Sequence, residues 1–319
     1  MKKITILLLS LFIFTSLSGC KNNEDELELR IMVPLGSPAL AQTFNESTLP
    51  SIGDNVSYSI DIIVGSDPLV AAFGSGSYDI IYAPTNLGAK LISTGIDYKF
   101  AATVVFGNLY LATGSDIELT MSALDGKEIT VFGQNATPDI ILNTVINQYT
   151  YNVQPTFTYV DSASQSLADL ITDNSKIVLL AEPMLSVASL PSNVPNIKSL
   201  SLQDEWGLMT ESTSYPQAGI FVKSSLDKDI IDSYLSKIEE SVNYAASNVD
   251  ELAQMAVDLE YGFPLQVLKG AIPRSGLMYM SALDSKTAIE LYFTKIMEIN
   301  SNLIGGSLPD SDFYYQPND

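Results

Sequence analysis

From Glu28 onward, short apolar runs alternate with segments whose apolar residues recur every three to four positions, the pattern of strands alternating with helices. Leu29 to Val33 predicts a first strand, stopped by Pro34-Leu35-Gly36-Ser37-Pro38, where Ser37 is placed to cap a helix with Pro38 at its first position. Ser57 to Val64 predicts a second strand, and Asp67-Pro68 opens a helix through Phe73 in the same manner. Tyr78 to Tyr82 is a third, Ala83-Pro84-Thr85-Asn86 starts a helix ending near Gly95, and Phe100 to Phe106 is another apolar, β-rich run.

A second set of similar units follows. Lys127 to Phe132, Phe157 to Val160 and Lys176 to Leu180 predict strands. Asp139 to Tyr149 and Ser164 to Ile171 have helical period, and Ala181-Glu182-Pro183 turns into a further helix. Gly219 to Val222 adds a strand before a mostly helical C-terminal third, Leu226 to Tyr244, Val249 to Leu259 and Ala282 to Ile299. The expectation is an α/β chain of two similar lobes with mainly parallel sheets and a helical C-terminal segment.

Composition narrows what such a chain can do. With 319 residues, 46% hydrophobic and 17% charged, it has material for a sizeable core. It contains no histidine, which excludes Ser/His/Asp triads, Cys/His pairs and imidazole proton shuttles. One cysteine excludes an intrachain disulfide and thiolate-cluster metal sites. A net charge of −21 argues against nucleic acid and against polybasic docking to anionic membranes.

The lone cysteine falls where it has a use. Met1-Lys2-Lys3, an apolar run from Ile4 to Phe14, then Leu17-Ser18-Gly19-Cys20 and the polar stretch from Lys21 to Glu26 form a secretory signal peptide, too short to span a bilayer alone. Leu-Ser-Gly-Cys resembles the bacterial lipobox. That resemblance implies cleavage before Cys20, lipidation of Cys20 and attachment to the outer face of the cytoplasmic membrane. Residues 1–19 are then the signal peptide and 20–27 a tether. Losing Lys2 and Lys3 leaves 14 basic against 37 acidic residues, a charge of −23 on the mature domain.

Four further patterns occur in order. Asp67 to Gly95 reads helix, small-Gly-x-x-Asp-apolar strand, small-Pro, helix, and recurs loosely from Ser166 to Ser186. Leu124-Asp125-Gly126-Lys127 leads into the strand of the second set, Tyr215-Pro216-Gln217-Ala218 leads into the return strand, and Ile304 to Tyr315 closes the chain. In this order, and with the lipobox, they resemble the type II solute-binding proteins of ABC importers, closest to those for nitrate, aliphatic sulfonates and thiamine-pyrimidine precursors. The resemblance implies a two-lobed periplasmic-binding-protein-like fold that closes over a ligand by hinge bending. It also implies crossovers near Gly107 to Leu111 and Ser212 to Gln217. Lobe 1 is then discontinuous, residues 28–108 and 217–319, with lobe 2 at 109–216.

In open α/β sheets, ligands sit beyond the carboxyl ends of strands, at helix N-termini. That rule selects Leu35, Gly36 and Ser37; Ser66 with its neighbours Gly65 and Asp67; Pro84, Thr85 and Asn86; Gln134, Asn135, Ala136 and Thr137; and Glu182. For Ser37, Asp67 and Thr137 the competing role is capping of their own helices. Asn108 and Tyr110 fall at the first crossover and Tyr215 at the second; Tyr82, Tyr110 and Tyr215 have the shape to stack on a flat heterocycle or simply to fill core. Arg274 either clamps an anionic group or pairs with one of the 37 acids. The candidate turns carry amides, hydroxyls and acids rather than bases, which points to a neutral or weakly cationic small molecule such as a nitrogen heterocycle.

The expected function is that of a monomeric, lipid-anchored, extracytoplasmic receptor that delivers its solute to an ABC permease, with no catalytic residue, cofactor, metal or nucleic-acid partner. The alternatives are an enzyme on the same fold acting on a small molecule, and a surface sensor or interaction lipoprotein.

Overall fold

A computed structural model describes residues 27–318 except residue 213. The signal-peptide, Cys20 and tether readings lie outside these residues, save for Leu27 at the tether's end. Among the described residues, eleven strands and eleven α-helices follow in the order β1(Leu27–Pro34) α1(Ser37–Thr48) β2(Val56–Ile63) α2(Asp67–Ser75) β3(Ile80–Pro84) α3(Thr85–Ile92) β4(Tyr98–Phe106) β5(Leu109–Thr113) β6(Glu128–Phe132) α4(Thr137–Ile146) β7(Thr156–Val160) α5(Ala163–Thr172) β8(Ile177–Ala181) α6(Met184–Ala188) β9(Lys198–Ser201) α7(Leu202–Thr210) β10(Pro216–Lys223) α8(Lys228–Ser247) α9(Val249–Asp258) α10(Leu265–Ala271) β11(Leu277–Ser281) α11(Ala282–Asn300). The strands form two sheets, β11-β4-β10-β3-β1-β2 and β7-β6-β8-β5-β9.

The expectation of mainly parallel sheets is corrected: both are mixed. β1 runs parallel to β2 and β3, and β6 parallel to β7 and β8, as helix crossovers require. β10 and β5 lie antiparallel to their neighbours. The reason is topological. β5 follows β4 directly from the other sheet, β10 follows β9 through α7, and neither is joined to its antiparallel neighbours by a βαβ unit within its own sheet. β5, β9 and β11 also went unpredicted as strands, as did helices α7 and α10. Five successive buried residues in β5 gave a continuous apolar run with no alternation to mark it.

Burial explains the other runs. β4 and β8 are buried almost throughout, covered on both faces, whereas the edge strands β2 and β7 are half-exposed. α8 buries Ile231, Tyr234, Leu235, Ile238, Val242 and Ala245, one stripe at helical spacing. Phe100 of β4 stacks on Phe313 with ring centroids 5.5 Å apart and meets Phe221 edge-on. The closing segment is strapped down there, because Tyr314 bridges to Phe100 and the Tyr315 N–H donates to the Phe100 carbonyl at 2.8 Å.

The chain passes between the sheets twice, at Gly107–Asn108 and between α7 and β10, and the two passages are tied together. Asn108 N–H donates to Gln217 Oε1 (3.1 Å) while Gln217 Nε2 donates to Asn108 Oδ1 (2.6 Å), and Ser214 Oγ donates to the Phe106 carbonyl (2.9 Å).

Candidate functional site

Beyond the carboxyl ends of β1, β3, β6 and β8 the chain turns into α1, α3, α4 and α6, and these four helix starts meet between the sheets. None of the four has a side-chain cap from its N-cap position, held by Gly36, Pro84, Ala136 and Pro183. Helices α5, α7, α8 and α11 are capped by Ser162, Ser201, Asp227 and Ser281. Helices α2, α9 and α10 also lack a cap, so its absence alone is not the distinguishing feature. What distinguishes the interlobe starts is where their hydroxyls go. Ser37 and Thr137 do not cap their helices, contrary to the capping expectation. Ser37 Oγ accepts from Asn108 Nδ2 (2.8 Å), and Thr137 Oγ1 donates to Asn86 Oδ1 (2.9 Å), which ties one sheet's helix start to the other's. Thr85 Oγ1 donates to the Pro216 carbonyl at 2.6 Å, fixing α3 to the second crossover.

Across the same gap, Gly36 stands so close to the Glu182 backbone that an added Cβ would sit 3.9 Å from its carbonyl oxygen. Gly36 has φ +117°, a conformation L side chains rarely adopt, so glycine is required there on backbone grounds. Leu35, beside it, is half-buried and bonds through its N–H to the Ile63 carbonyl. The Glu182 side chain is fully buried. Its Oε1 accepts from Arg274 Nε at 2.6 Å and its Oε2 from the Ser186 N–H at 3.1 Å. Arg274 also donates through Nη2 to Ser186 Oγ (2.8 Å), and its carbonyl accepts from Tyr110 Oη (3.0 Å). Arg274 therefore takes the ion-pair role rather than presenting its fork to an anion, and it spans from one sheet's side to the other's. Burial raises the Glu182 carboxyl above its usual range against the opposing pull of Arg274 and Ser186, and burial with the nearby Glu182 charge pushes the Tyr110 phenol up to about 12.

The remaining candidates divide. Gln134, Asn135 and Ala136 are exposed at the mouth of the gap, and Asn135 adopts φ +59°, which asparagine tolerates. Pro84 is half-buried at the start of α3. Ser66 is exposed at the edge-strand end, and no hydrogen bond joins it to the others. Tyr215 and Tyr82 are wholly buried. Tyr82 Oη donates to Gln42 Oε1 (2.8 Å) beside Tyr234 and is a core residue, so neither ring presents a free face in this conformation.

Several participants were not selected from sequence. Asp139 holds the Gln134–Ala136 loop by accepting from the Asn135 N–H (2.8 Å), from Asn143 and from Tyr159. Ser186, one turn into α6, and Gln203, which accepts from the Leu109 N–H (3.2 Å), complete the set. An aspartate two residues after a Thr-Pro helix start was available as a signal for the first; nothing in the sequence marks the other two. Cavities of about 350, 640 and 200 Å³ open elsewhere, around Tyr279, beneath Leu308 and beside Gln316. Among the described residues there is no cluster of acids able to hold a metal ion, and no helix long and apolar enough to cross a membrane.

The model of the family described as menaquinone biosynthesis matches residues 110–297, more than half of the chain. No curated protein matches the sequence. Among solved structures, an ABC transporter protein from Parabacteroides distasonis superposes with a TM-score of 0.81 at 20% identity, covering 92% of this chain and all of that one. The periplasmic aliphatic sulphonate binding protein of Escherichia coli gives 0.68 at 16% identity, covering 91% of this chain and 92% of its own. A Candida albicans product described as having the generic periplasmic binding protein fold gives 0.57 at 12%, covering 90% and 92%. The fold is the α/β periplasmic-binding-protein fold, similar to that of the binding proteins of ABC importers.

Proposed function

We propose that this chain, which belongs to the menaquinone biosynthesis family, works as an extracytoplasmic receptor, anchored by lipid at Cys20, that closes two lobes over a small solute and passes it to an ABC permease. The lobes are the units carrying the two sheets, 28–108 with 217–319 and 109–216, and the tied crossovers are the hinge. One observation carries the reading: helix starts from both sheets meet, and the Thr137 hydroxyl of one bonds to Asn86 of the other instead of capping its own helix. Such starts offer free backbone N–H groups and polar side chains to whatever lies between them. With Arg274 paired to Glu182, the set offers no free cation to an anion, and Asp139 is an acid without a basic partner among the described residues, which suits a neutral or weakly cationic solute. The described neighbours include binding components of importers, and the N-terminal sequence reads as an export signal. Thermal unfolding with a panel of nucleobases, vitamins, sulfonates and amino acids tests this, since a solute bound only by the folded state raises Tm. A flat response across the panel would defeat the reading.

Closure also predicts a mutational effect. Thr137→Val removes the donor to Asn86 while keeping the side chain's volume. It is expected to favour the open form by about 1 kcal/mol, the net worth of one hydrogen bond, roughly a fivefold shift. Small-angle scattering of the solute-free protein should show a larger radius of gyration than wild type, and solute Kd should rise by a similar factor. An unchanged radius and Kd would mean that this bond does not report closure.

The family's description favours one second reading, an enzyme on the same fold. Glu182, buried and with its carboxyl raised above the usual range, is the group placed to exchange a proton with a bound molecule. Conversion of a bound solute on prolonged incubation, absent in Glu182→Gln, would decide for it.

A further inference from the structure

The two sheets end in four edge strands, and three of these are shielded by their own geometry. β9 and β7 are only four and five residues long, and β11 slips register against β4 between Leu277 and Met280. β2 differs. It is eight residues long, runs in unbroken register with β1 from Leu27 opposite Val56 to Pro34 opposite Ile63, and contains no proline, lysine or bulge. Among the described residues, no element other than β1 packs along it in extended contact. Native proteins blunt such edges with short strands, charges, proline or bulges, because an open edge recruits another strand.

The pairing with β1 settles which backbone groups face outward. The Leu27 N–H donates to the Asn55 carbonyl (3.0 Å) and the Leu35 N–H to that of Ile63 (2.8 Å), so the odd-numbered residues of β2 bond to β1. Alternate residues of a strand address opposite neighbours, so Val56, Tyr58, Ile60 and Ile62 turn both N–H and C=O toward the open edge. Their side chains are half-buried against the core that also packs α1 and α8. Ser57, Ser59 and Asp61 lie on the other face. Asp61, the one charge on the strand, keeps Oδ2 turned toward the sheet, accepting from Tyr78 Oη (2.6 Å) and Arg30 Nη2 (3.5 Å).

We infer that this edge is a homodimer interface, in which β2 pairs antiparallel with β2 of a second copy about a two-fold axis at Ser59 and joins two six-stranded sheets into one. The strand is self-complementary in that register. Val56 lies opposite Ile62 of the second copy and Tyr58 opposite its Ile60, so each outward residue exchanges both bonds and apolar side chains meet on one face. On the other face Ser57 lies opposite Asp61, whose Oδ1 is placed to accept the hydroxyl proton, and Ser59 meets itself. No two acids are opposed. Sliding the pairing by two residues leaves an outward residue of β2 without a strand residue opposite and moves Asp61 off Ser57. A second copy fits better than a foreign strand because the match is between this sequence and its own reverse, and two-fold pairing is the commonest soluble symmetry. This departs from the monomer expected from sequence. Each copy carries a charge of −21, so salt, which screens their repulsion, should tighten the dimer.

The edge is independent of what the cleft binds, and its test needs no solute. The full chain in detergent is weighed by sedimentation equilibrium over a dilution series. Ser59→Cys and Ser57→Cys are compared under mild oxidation, both in a Cys20→Ser background that removes the single native cysteine. The wild-type mass should approach twice that of the monomer and fall on dilution. Ser59→Cys should form a disulfide-linked dimer, because residues on the axis make a non-hydrogen-bonded pair with Cα atoms about 4.5 Å apart. Ser57→Cys, which faces Asp61, should not. Ser59→Asp sets two like charges face to face and should raise the dimer Kd about tenfold or more. If it also lowers the Tm of the diluted monomer, the cysteine pair decides alone. A monomer at every concentration, cross-linking as strong through Ser57→Cys, or a well-folded Ser59→Asp dimer as tight as wild type overturns the interface.

Discussion

Gly276→Ala is expected to cost about 3 kcal/mol or more of folding stability, the upper part of the range for overpacking a rigid site. Gly276 sits just before β11 with φ +61°, and a Cβ there would lie 2.1 Å from the Gly107 carbonyl oxygen and 2.5 Å from that of Phe106. Neither oxygen can withdraw easily. The Phe106 carbonyl accepts from Ser214 Oγ, and the Phe106 N–H is bonded to Gly276 itself at 2.7 Å. The methyl group would therefore push directly on the first crossover. Gly262 provides the control: it has φ +82° and nothing within 4 Å of its would-be Cβ, so Gly262→Ala carries only left-handed strain, about 1 kcal/mol. Urea unfolding of both variants separates clash from strain. Equal losses would show that the crossover yields to the added methyl, and the account of a rigid hinge would have to be given up.

Arg274→Ala is expected to cost about 2 to 3 kcal/mol near neutral pH, because it strands the Glu182 carboxylate in a site where its side chain is fully buried. The figure is set below the usual cost of breaking a buried pair because the Arg274 side chain is 39% exposed, and water replaces part of what it supplies. The pH dependence follows from the direction of the Glu182 shift. Its folded carboxyl holds a proton more tightly than the unfolded one, with burial the largest cause and Arg274 opposing it. Stability contributed by the protonated form is thus present below the unfolded value and is lost as pH rises through the folded one. Removing Arg274 takes away the opposing influence and widens that window upward. The deficit of Arg274→Ala should be largest near pH 7.5 and shrink toward about pH 5. Adding Glu182→Gln should remove the pH-dependent part of the deficit. Unfolding midpoints across this range check it, and a deficit independent of pH would place the cost in lost packing of the Arg274 stem instead.

These two positions also show where sequence reading succeeds and stops. The strand and helix alternation was legible because burial on both faces makes strands continuous and apolar, while helix stripes keep their own period. Turn chemistry located the helix starts to within a residue or two at Ser37, Asp67 and Thr137. It could not assign their hydroxyls, since a serine before proline looks the same whether it caps its helix or bonds across to Asn108. Gln217, Gln203 and Ser186 were invisible for the same reason: their partners lie between 4 and 109 residues away in sequence, with no local pattern to announce them. Trp206 and Tyr292 carry no motif at all.

By itself, then, the sequence determined most of the elements, the α/β class and the exclusion of histidine chemistry, all of which depend on residue type and local spacing. The tertiary structure decided the rest. It made the sheets mixed by laying β5 and β10 antiparallel to their neighbours, committed Arg274 to Glu182, bonded Ser37 to Asn108 and Thr137 to Asn86 instead of to their own helices, and packed Trp206, Tyr215 and Tyr292 together. Each of these is a pairing of groups distant along the chain, fixed only when two layers of structure close on each other.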